Sequence, residues 1–399
     1  MFQAATSPPR ITTLIMLAGL SVLSLNMFLP SLSTMAGAFE ADYAVVSLAI
    51  GGYLAMTAIL QLIIGPLSDR YGRRPVLLAG LLIFAAASLG CVLSTNFWVF
   101  LGFRLAQGVI ISGWVISMAI IRDTSEPQEA ASLIGYVTMA MAIAPMLGPM
   151  VGGMFDEFLG WRSNFIFYAA SGALLLAICW ADAGETNTSP SETLGSQIRT
   201  YPELFTSRRF WGYTLCMAFS TGSFYSFLAG VPLVAGALFN LSTSSLGFYM
   251  GTITAGFMTG SFLSGRYSKR FALTTMILSG RIVACTGLIV GLVLLSMGIV
   301  HVATLFGAVI LVGLGNGLTT PGCSAGVLSV RPKLAGSASG LAGALTVGGG
   351  AALSSVTTAL LTEGNAAFML LGMMLFSSAM GLLATLYVMH VNRQEGALS

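Results

Sequence analysis

The most informative stretch of this chain is Gly65-Pro66-Leu67-Ser68-Asp69-Arg70-Tyr71-Gly72-Arg73-Arg74-Pro75. Eight of its residues, from Leu67 to Arg74, recur 196 positions later with five identities, as Leu263-Ser264-Gly265-Arg266-Tyr267-Ser268-Lys269-Arg270. Each copy follows the second apolar run of one half of the chain. Because a repeat at the same topological place indicates duplication, the sequence predicts two halves of similar build.

The composition places both halves in a membrane. Of the 399 residues, 56% are hydrophobic and only 8% are charged, and the mean hydropathy is +0.88. Soluble domains carry about a quarter of their residues as charges, so this chain cannot form a water-facing surface. A spanning helix takes about 20 apolar residues, and twelve of them leave room only for short loops and one connector. We therefore predict an all-α membrane protein of twelve transmembrane helices in two pseudo-symmetric six-helix bundles.

The apolar runs set the predicted boundaries. Spans are expected near residues 12–35, 44–66, 75–94, 97–121, 132–155 and 163–181 in the first half, and near 210–239, 245–264, 272–297, 300–328, 334–361 and 366–391 in the second. The N-terminal bundle then covers residues 1–181, and the C-terminal bundle covers residues 210–399. Residues 182–209 form the only extended polar stretch and are the predicted connector.

Basic residues orient the predicted spans. With the N-terminus inside, 14 of the 17 Lys and Arg residues fall on the cytoplasmic side, in agreement with the positive-inside rule. We therefore expect a multi-pass protein of the cell's inner membrane with both termini and the connector in the cytoplasm. The net charge of +3 is too small and too scattered for binding nucleic acid. The spacing of the five cysteines and of His301 and His390 predicts neither disulfides nor a metal site.

The stretch at residues 65–75 resembles the cytoplasmic loop signature of the major facilitator superfamily. Gly72 permits a tight reversal, and Pro75 suits the first turn of a helix. The resemblance implies a cytoplasmic gating loop whose charge pairs hold the outward-facing state of a transporter. Its candidate members are Gly65, Asp69, Arg70, Gly72, Arg73 and Arg74. The alternative is that these arginines only anchor the membrane edge, and for Arg70 and Arg74 that role is sufficient.

The predicted fifth span carries a second motif, Ala144-Pro145-Met146-Leu147-Gly148-Pro149-Met150-Val151-Gly152-Gly153. It resembles the G-x-x-x-G-P-x-x-G-G antiporter motif of superfamily exporters, with Ala144 in place of the first glycine. Small residues at this spacing let helices approach closely, and prolines permit bending. The motif predicts a flexible helix built on Pro145, Gly148, Pro149, Gly152 and Gly153, although general small-residue packing is an alternative explanation.

Span four contains a buried charge in Arg104-Leu105-Ala106-Gln107-Gly108, which resembles the R-x-x-Q-G element of the superfamily. A guanidinium at hydrocarbon depth is costly unless it faces a cavity or a partner. Arg104 and Asn26 lie at similar depth, about 12 Å from the outer ends of their helices, so we expect them to be neighbours. The candidate substrate contacts are Asn26, Arg104, Gln107, Met141, Phe224 and Tyr225.

The second half carries less charge. Aligning spans four and ten places Gly313 opposite Arg104 and Asn316 opposite Gln107, so the charged chemistry is expected to lie in the first half. The resemblance implies that span nine lies at the periphery, where Arg281 is expected to have a structural role by snorkelling or by bonding to a neighbouring carbonyl group.

The source of energy is the open question for this sequence. Residues 24–30 resemble the corresponding stretch of Bcr/CflA-type drug:proton antiporters, in which an aspartate commonly takes the place of Asn26. An amide cannot titrate, and no Asp or Glu falls within the predicted spans. Either a substrate or a bound anion compensates Arg104, or protonation occurs at a boundary acid such as Asp69, Asp123 or Asp156.

The resemblance covers essentially the whole chain and implies a secondary transporter that works by alternating access. We expect it to export small amphiphilic drugs or metabolites, with a proton gradient as the energy source and no cofactor. The alternative is an importer or facilitator of a small organic anion that uses the unpaired Arg104. An enzyme is not expected, because the spans hold no cluster of His, Asp or Glu. A monomer surrounded by membrane lipid is the expected state.

Overall fold

A computed structural model describes residues 7–125, 127–187, 204–267, 270–330, 335–362 and 364–394. In these ranges the chain consists of helices with short connections, and the ranges contain no strand. Residues 188–203, which make up most of the predicted connector, lie outside the described residues.

The N-terminal half forms six long helical segments from nine α-helices. These are α1 (Ile11–Asn26), α2 (Leu32–Ala38), α3 (Tyr43–Val46), α4 (Leu48–Tyr71), α5 (Arg73–Leu93), α6 (Phe97–Ala106), α7 (Ile111–Thr124), α8 (Pro127–Leu159) and α9 (Arg162–Asp182). A 3₁₀ turn at Leu29–Ser31 leads from α1 to α2, and another at Gln107–Ile110 joins α6 to α7. The short helix α3 leads into α4.

The C-terminal half forms six helices. These are α10 (Arg208–Phe239), α11 (Thr243–Tyr267), α12 (Leu273–Ser296), α13 (Val302–Val330), α14 (Ala335–Leu360) and α15 (Ala366–Gln394).

Twelve long helical segments therefore occur in the part of the chain that the structure describes, as the apolar runs predict. Ten of them are long and apolar enough to cross a membrane by length and composition, and α8 and α11 are the other two. Their limits differ from the predicted limits by at most five residues. Hydropathy locates these helices well because each one must bury about 20 residues in hydrocarbon.

The chain divides into two compact units. The N-terminal unit comprises Met1–Ser196 together with Thr243–Gly247, and the C-terminal unit comprises Gln197–Ser242 and Phe248–Ser399. The first turn of α11 therefore belongs to the N-terminal unit.

Three helix pairs and an aromatic cluster hold the N-terminal unit together. Helix α1 packs against α7 and α8, and α5 packs against α9. Near the ends of these helices, the rings of Trp161 and Phe165 contact Phe100 edge-on, with centroid distances of 5.8 and 5.2 Å. Such contacts contribute about 0.5–1.5 kcal/mol each beyond the area that they bury.

Close backbone contacts characterise the C-terminal unit, in which α10 packs against α14 and α15 and α12 packs against α13. A side chain at Gly313 or Gly317 of α13 would overlap the backbone of α11, and one at Gly315 would overlap the backbone of α12. Small residues on two faces of α13 therefore let it lie directly against two neighbouring helices.

Candidate functional site

The predicted gating loop joins α4 to α5. Helix α4 ends at Tyr71, Gly72 reverses the chain with a φ of +96°, and α5 begins at Arg73. This left-handed backbone favours glycine because a Cβ is strained there. A Cβ on Gly72 would also overlap the carboxylate of Glu185. Backbone geometry thus favours glycine at this position, and a larger residue would also displace the Glu185 carboxylate.

Arg73 is the centre of a charge cluster in this loop. The residue is only 7% exposed, and its Nη1 pairs with Asp69 and donates to Ser68 Oγ at 2.7 Å. Its Nε donates to Asp123 Oδ2 at 3.0 Å. Because Asp69 lies on α4 and Asp123 on α7, one guanidinium connects three helices. Charge-assisted hydrogen bonds are about twice as strong as neutral ones, so this cluster opposes separation of the three helix ends.

Glu185 is a member of the loop cluster that the sequence analysis missed. Its Oε1 accepts the backbone N–H of Arg73 at 2.9 Å, and its Oε2 accepts that of Arg74 at 3.1 Å. The carboxylate therefore caps the N-terminus of α5, where unpaired amides and the helix dipole favour a negative charge. Asn187 adds a bond from its Nδ2 to Asp69 O at 2.7 Å. The signal in the sequence was Gly72 itself, which has no side chain with which to cap α5.

Replacing Glu185 with glutamine is expected to weaken this cap. The amide keeps one acceptor oxygen but loses the charge and the second acceptor, which should cost about 1 kcal/mol of folding stability. Thermal unfolding of the purified protein in detergent measures the change. Asp42→Asn is the matched control, because Asp42 precedes α3 without a side-chain capping bond. Equal melting temperatures for both variants would contradict the capping role.

The other candidate residues of the loop have weaker structural roles. Arg74 donates from Nη2 to Trp180 O at 3.0 Å and lies 5.3 Å over the Trp180 ring. The exposed Arg70 lies 5.3 Å over the ring of Tyr71. A Cβ on Gly65 would meet nothing within 4 Å, so the structure shows no steric reason for glycine there. That these three residues take part in a gate remains a prediction.

Helix α8 carries the antiporter motif and continues through both Pro145 and Pro149. A Cβ on Gly152 would overlap the carbonyl oxygen of Met27, and one on Gly148 would lie 3.0 Å from the Leu23 side chain. These two glycines therefore let α8 lie against the backbone of α1.

Gly153 lies against another segment of the same unit. A Cβ there would overlap the carbonyl oxygen of Thr243, whose Oγ1 donates to Gly153 O at 3.1 Å. The glycines of the motif thus let α8 contact two backbones directly, that of α1 and that of the first turn of α11.

Arg104 is fully buried and lies at the centre of a polar network in the N-terminal unit. Its Nη1 donates to Gln107 Oε1 at 2.7 Å, its Nη2 to Ser24 O at 2.9 Å and its Nε to Ala49 O at 3.3 Å. Gln107 then donates from Nε2 to Ser88 Oγ at 2.7 Å, which extends the network to α5.

Aromatic faces complete the surroundings of this guanidinium. Its Cζ lies 4.4 Å from the ring centre of Phe28 and 4.0 Å from that of Tyr53. Cation–π contacts of desolvated arginines contribute about 2 kcal/mol. Carbonyl oxygens and rings therefore take the place of a carboxylate, and the expectation that Arg104 is unpaired is corrected.

The expected contact between Arg104 and Asn26 is absent from the hydrogen bonds of the described residues. Asn26 is the last residue of α1, and its Nδ2 donates back to Val22 O at 2.8 Å. The long side chain of Arg104 reaches the carbonyl of Ser24 instead. The Oδ1 of Asn26 is buried without a hydrogen-bond partner.

The remaining candidates are half-buried and lie in different units. Met141 is on α8 in the N-terminal unit, whereas Phe224 and Tyr225 are on α10 in the C-terminal unit, with ring centroids 5.7 Å apart. The ring of Tyr225 occupies the space that a Cβ on Gly350 would need. Substrate binding by these three residues remains a prediction.

Arg281 forms a second buried cation network, which the sequence analysis did not anticipate. It is fully buried, and it donates from Nη2 to Asn316 Oδ1 at 2.6 Å and from Nε to Thr319 Oγ1 at 2.9 Å. Asn316 Nδ2 in turn donates to Ser220 O at 3.0 Å, which extends the network to α10. The expected peripheral, snorkelling position of Arg281 was wrong, because α12 turns this face towards α13 and α15. Buried charge is therefore not confined to the first half.

Replacing Arg281 with lysine is expected to destabilise the protein. One ammonium cannot reproduce the planar fork that serves both Asn316 and Thr319, and an unsatisfied buried acceptor costs about 1–3 kcal/mol. Arg266→Lys at the exposed end of α11 is the control. A drop in melting temperature for the first variant alone is the expected result, and no drop would show that the network contributes little.

The sequence pattern of the Major Facilitator Superfamily matches residues 14–355. The chain belongs to the major facilitator superfamily. Membership confirms a transporter of small molecules that is integral to the inner membrane and is not an enzyme.

Two of three relatives of this superfamily protein described below are named for drug resistance. The chloramphenicol resistance protein of Pseudomonas aeruginosa is 33% identical over 283 residues, which are 70% of this chain and 65% of the relative. Multidrug resistance protein D of Escherichia coli (strain K12) is 29% identical over 94% of this chain and 93% of its own length. The MFS-type transporter YdgK of Bacillus subtilis (strain 168) is 31% identical over 83% of each chain. The two relatives named for drug resistance confirm the predicted likeness to the drug-exporter branch.

Solved structures share the fold. A bacterial homolog of the human lysosomal transporter Spinster, in an inward-facing and unoccupied conformation, superposes with a TM-score of 0.77 at 16% identity over 96% of both chains. The human organic anion transporter MFSD10 gives 0.66 at 18% identity over 95% of this chain and 98% of its own. At such identities the likeness concerns the fold alone, and it confirms the predicted fold class.

Proposed function

We propose that this protein exports small amphiphilic drugs or metabolites from the cytoplasm in exchange for protons. The observation that carries the proposal is the packing of the antiporter-motif helix, in which Gly152 of α8 leaves no room for a side chain against α1. This motif is the feature that the sequence shares with superfamily exporters. The names of two relatives, a chloramphenicol resistance protein and multidrug resistance protein D, support a drug as the substrate class.

In this proposal the two six-helix halves alternate access, with the connector and both termini in the cytoplasm. The Arg73 cluster holds the ends of α4, α5 and α7 together in one state, and its ion pairs with Asp69 and Asp123 separate in another. A monomer in membrane lipid suffices, and no cofactor is needed.

Asn26 is the best-supported substrate contact among the candidates. Its buried Oδ1 lacks a donor, so a hydrogen-bond donor of a substrate would satisfy it. Met141, Phe224 and Tyr225 would offer apolar surface to the same class of ligand. Arg104 and Gln107 then hold the helices around this amide, because their own hydrogen-bonding groups are engaged with the protein.

The alternative function, import or facilitated passage of an organic anion, depends on an available Arg104. All three nitrogen atoms of its guanidinium donate to protein acceptors, and its residue exposure is 0%. The hydrogen bonding of Arg104 therefore supports the drug exporter over the anion carrier.

Transport into proteoliposomes tests the proposed function. Vesicles with an acidic interior and an alkaline exterior should accumulate radiolabelled chloramphenicol, because protons that leave the lumen drive drug inwards. A protonophore should abolish the accumulation, and an imposed sodium gradient should not replace the pH difference. If drugs and anionic metabolites both fail to respond to any pH difference, proton antiport is wrong. Uptake of the anions alone would support the alternative.

A further inference from the structure

Asp156, near the end of α8, is a buried carboxylate with a residue exposure of 7%. The other acids whose side chains the structure describes have different surroundings. Asp69, Asp123 and Asp182 form ion pairs with arginine, and Glu185 caps α5. Glu40, Asp42 and Glu157 are exposed. Asp156 therefore differs in its burial from the other acids whose side chains the structure describes.

The carboxylate of Asp156 is incompletely hydrogen-bonded. Its Oδ2 accepts from Thr34 Oγ1 on α2 at 2.9 Å, and the hydroxyl groups of Ser31 and Thr243 lie beside it. Its Oδ1 is buried and has no hydrogen-bond partner. A buried carboxylate oxygen without a donor is costly while the group carries a charge, and that cost falls when a proton binds.

No cation compensates this carboxylate in the described chain. Helices α1 and α2, the turn between them and the first turn of α11 contain no charged residue. On α7, Arg122 and Asp123 lie at the opposite end of the unit, as does Asp182 on α9. Arg162 of α9 donates instead to the carbonyls of Val92 and Ser94. Glu157, the adjacent charged group that acts on Asp156, has the same sign and so opposes ionisation.

The position of Asp156 connects it to the antiporter motif. It follows Gly152 by four residues, which is one helical turn, and Thr243 contacts both Gly153 and Asp156. The charge of Asp156 therefore lies beside the contacts of α8 with α1 and with the first turn of α11. A neutral acid is compatible with these close contacts, whereas an anion favours access to water.

We propose that Asp156 is the proton-binding carboxyl of the transport cycle. It takes one proton from water and keeps it while enclosed by Thr34, Ser31 and Thr243, and it releases the proton to water when these hydroxyl groups separate from it. The inference rests on the proposed proton antiport and names the residue that carries the proton in place of the absent acid at Asn26. Asp69 and Asp123 differ from Asp156 because both form ion pairs with Arg73.

Asp156→Asn tests the inference, and Asp42→Asn is the matched control because Asp42 is exposed. The asparagine variant mimics the neutral acid, so it should still exchange labelled for unlabelled chloramphenicol. It should lose, by roughly tenfold or more, the accumulation that a pH difference drives, and the control should keep it. Infrared difference spectra across a pH titration should show a protonated carboxyl band in the wild type and the control that is missing in Asp156→Asn.

The outcomes separate this inference from the proposed function. A wild-type protein whose accumulation ignores the pH difference overturns both. A responsive wild type together with an equally responsive Asp156→Asn overturns the role of Asp156 alone. If Asp156→Asn does not fold, Thr34→Val replaces it: loss of this donor should move the midpoint of the carboxyl band to higher pH, and an unmoved midpoint contradicts the inference.

Discussion

Replacing Gly152 with alanine is expected to abolish transport and to lower the melting temperature of the protein. The added Cβ would overlap the carbonyl oxygen of Met27, and neither backbone can rotate away as a side chain would. Forcing extra atoms into a packed contact costs about 1–3 kcal/mol or more, and here α8 must move away from α1 along the whole motif. Drug accumulation in proteoliposomes and thermal unfolding of the same preparation measure the two effects.

Gly19→Ala is the control for this substitution. Gly19 lies on α1, and a Cβ there would meet nothing within 4 Å. Because alanine is favoured over glycine in a helix by about 1 kcal/mol, this variant should be unchanged or slightly more stable. The same glycine-to-alanine change should therefore lower the stability at Gly152 of α8 and leave it unchanged or slightly raised at Gly19 of α1. Similar behaviour of the two variants would show that the motif does not act through close packing.

Replacing Arg104 with methionine is expected to destabilise the N-terminal unit. Methionine leaves Gln107 Oε1 and the carbonyls of Ser24 and Ala49 without their donor and removes the contacts with two rings. Each of the three acceptors that loses its donor lowers the folding stability by about 1 kcal/mol or more. The variant no longer buries a charge, and this recovers part of the lost stability. We expect a net loss of about 2 kcal/mol, measured by unfolding of the protein in detergent without substrate.

Arg162→Met is the comparison variant for Arg104→Met. Arg162 also donates to two carbonyl groups and lies 4.3 Å over the ring of Trp161, but it is exposed. Water can replace its hydrogen bonds, so its loss should cost less than about 1 kcal/mol. A stable Arg104→Met protein that has lost affinity for anionic ligands alone would favour the anion carrier instead.

The helices could be predicted from the sequence because each span is a continuous apolar run whose signal is local. The reversal at Gly72 and the pairing of Arg104 with Gln107 follow from short spacings in the same way. Glu185 is different, since it is 112 residues from Arg73, and nothing in the linear sequence indicates that it caps α5. The hydrogen bond between Thr34 and Asp156, which are 122 residues apart, is likewise not apparent from the linear sequence.

Arg281 and Asn26 show a second limit of the sequence. The sequence does not distinguish a buried arginine from a peripheral one. Only the packing of α12 against α13 and α15 shows that Arg281 is buried. For Asn26, equal depth in the membrane suggested a contact with Arg104. Depth does not fix the direction of a side chain, and that of Asn26 bonds back to its own helix.

The cap that Glu185 provides has a consequence for how the gene can be divided. A first fragment that ends after residue 187 carries α5 and the carboxylate that binds its first amides on one polypeptide, so it contains every partner of the Arg73 cluster. A first fragment that ends after residue 182 transfers Glu185 to the other polypeptide. Co-expression of paired fragments should then tolerate the later break and not the earlier one, although the two sites are only five residues apart.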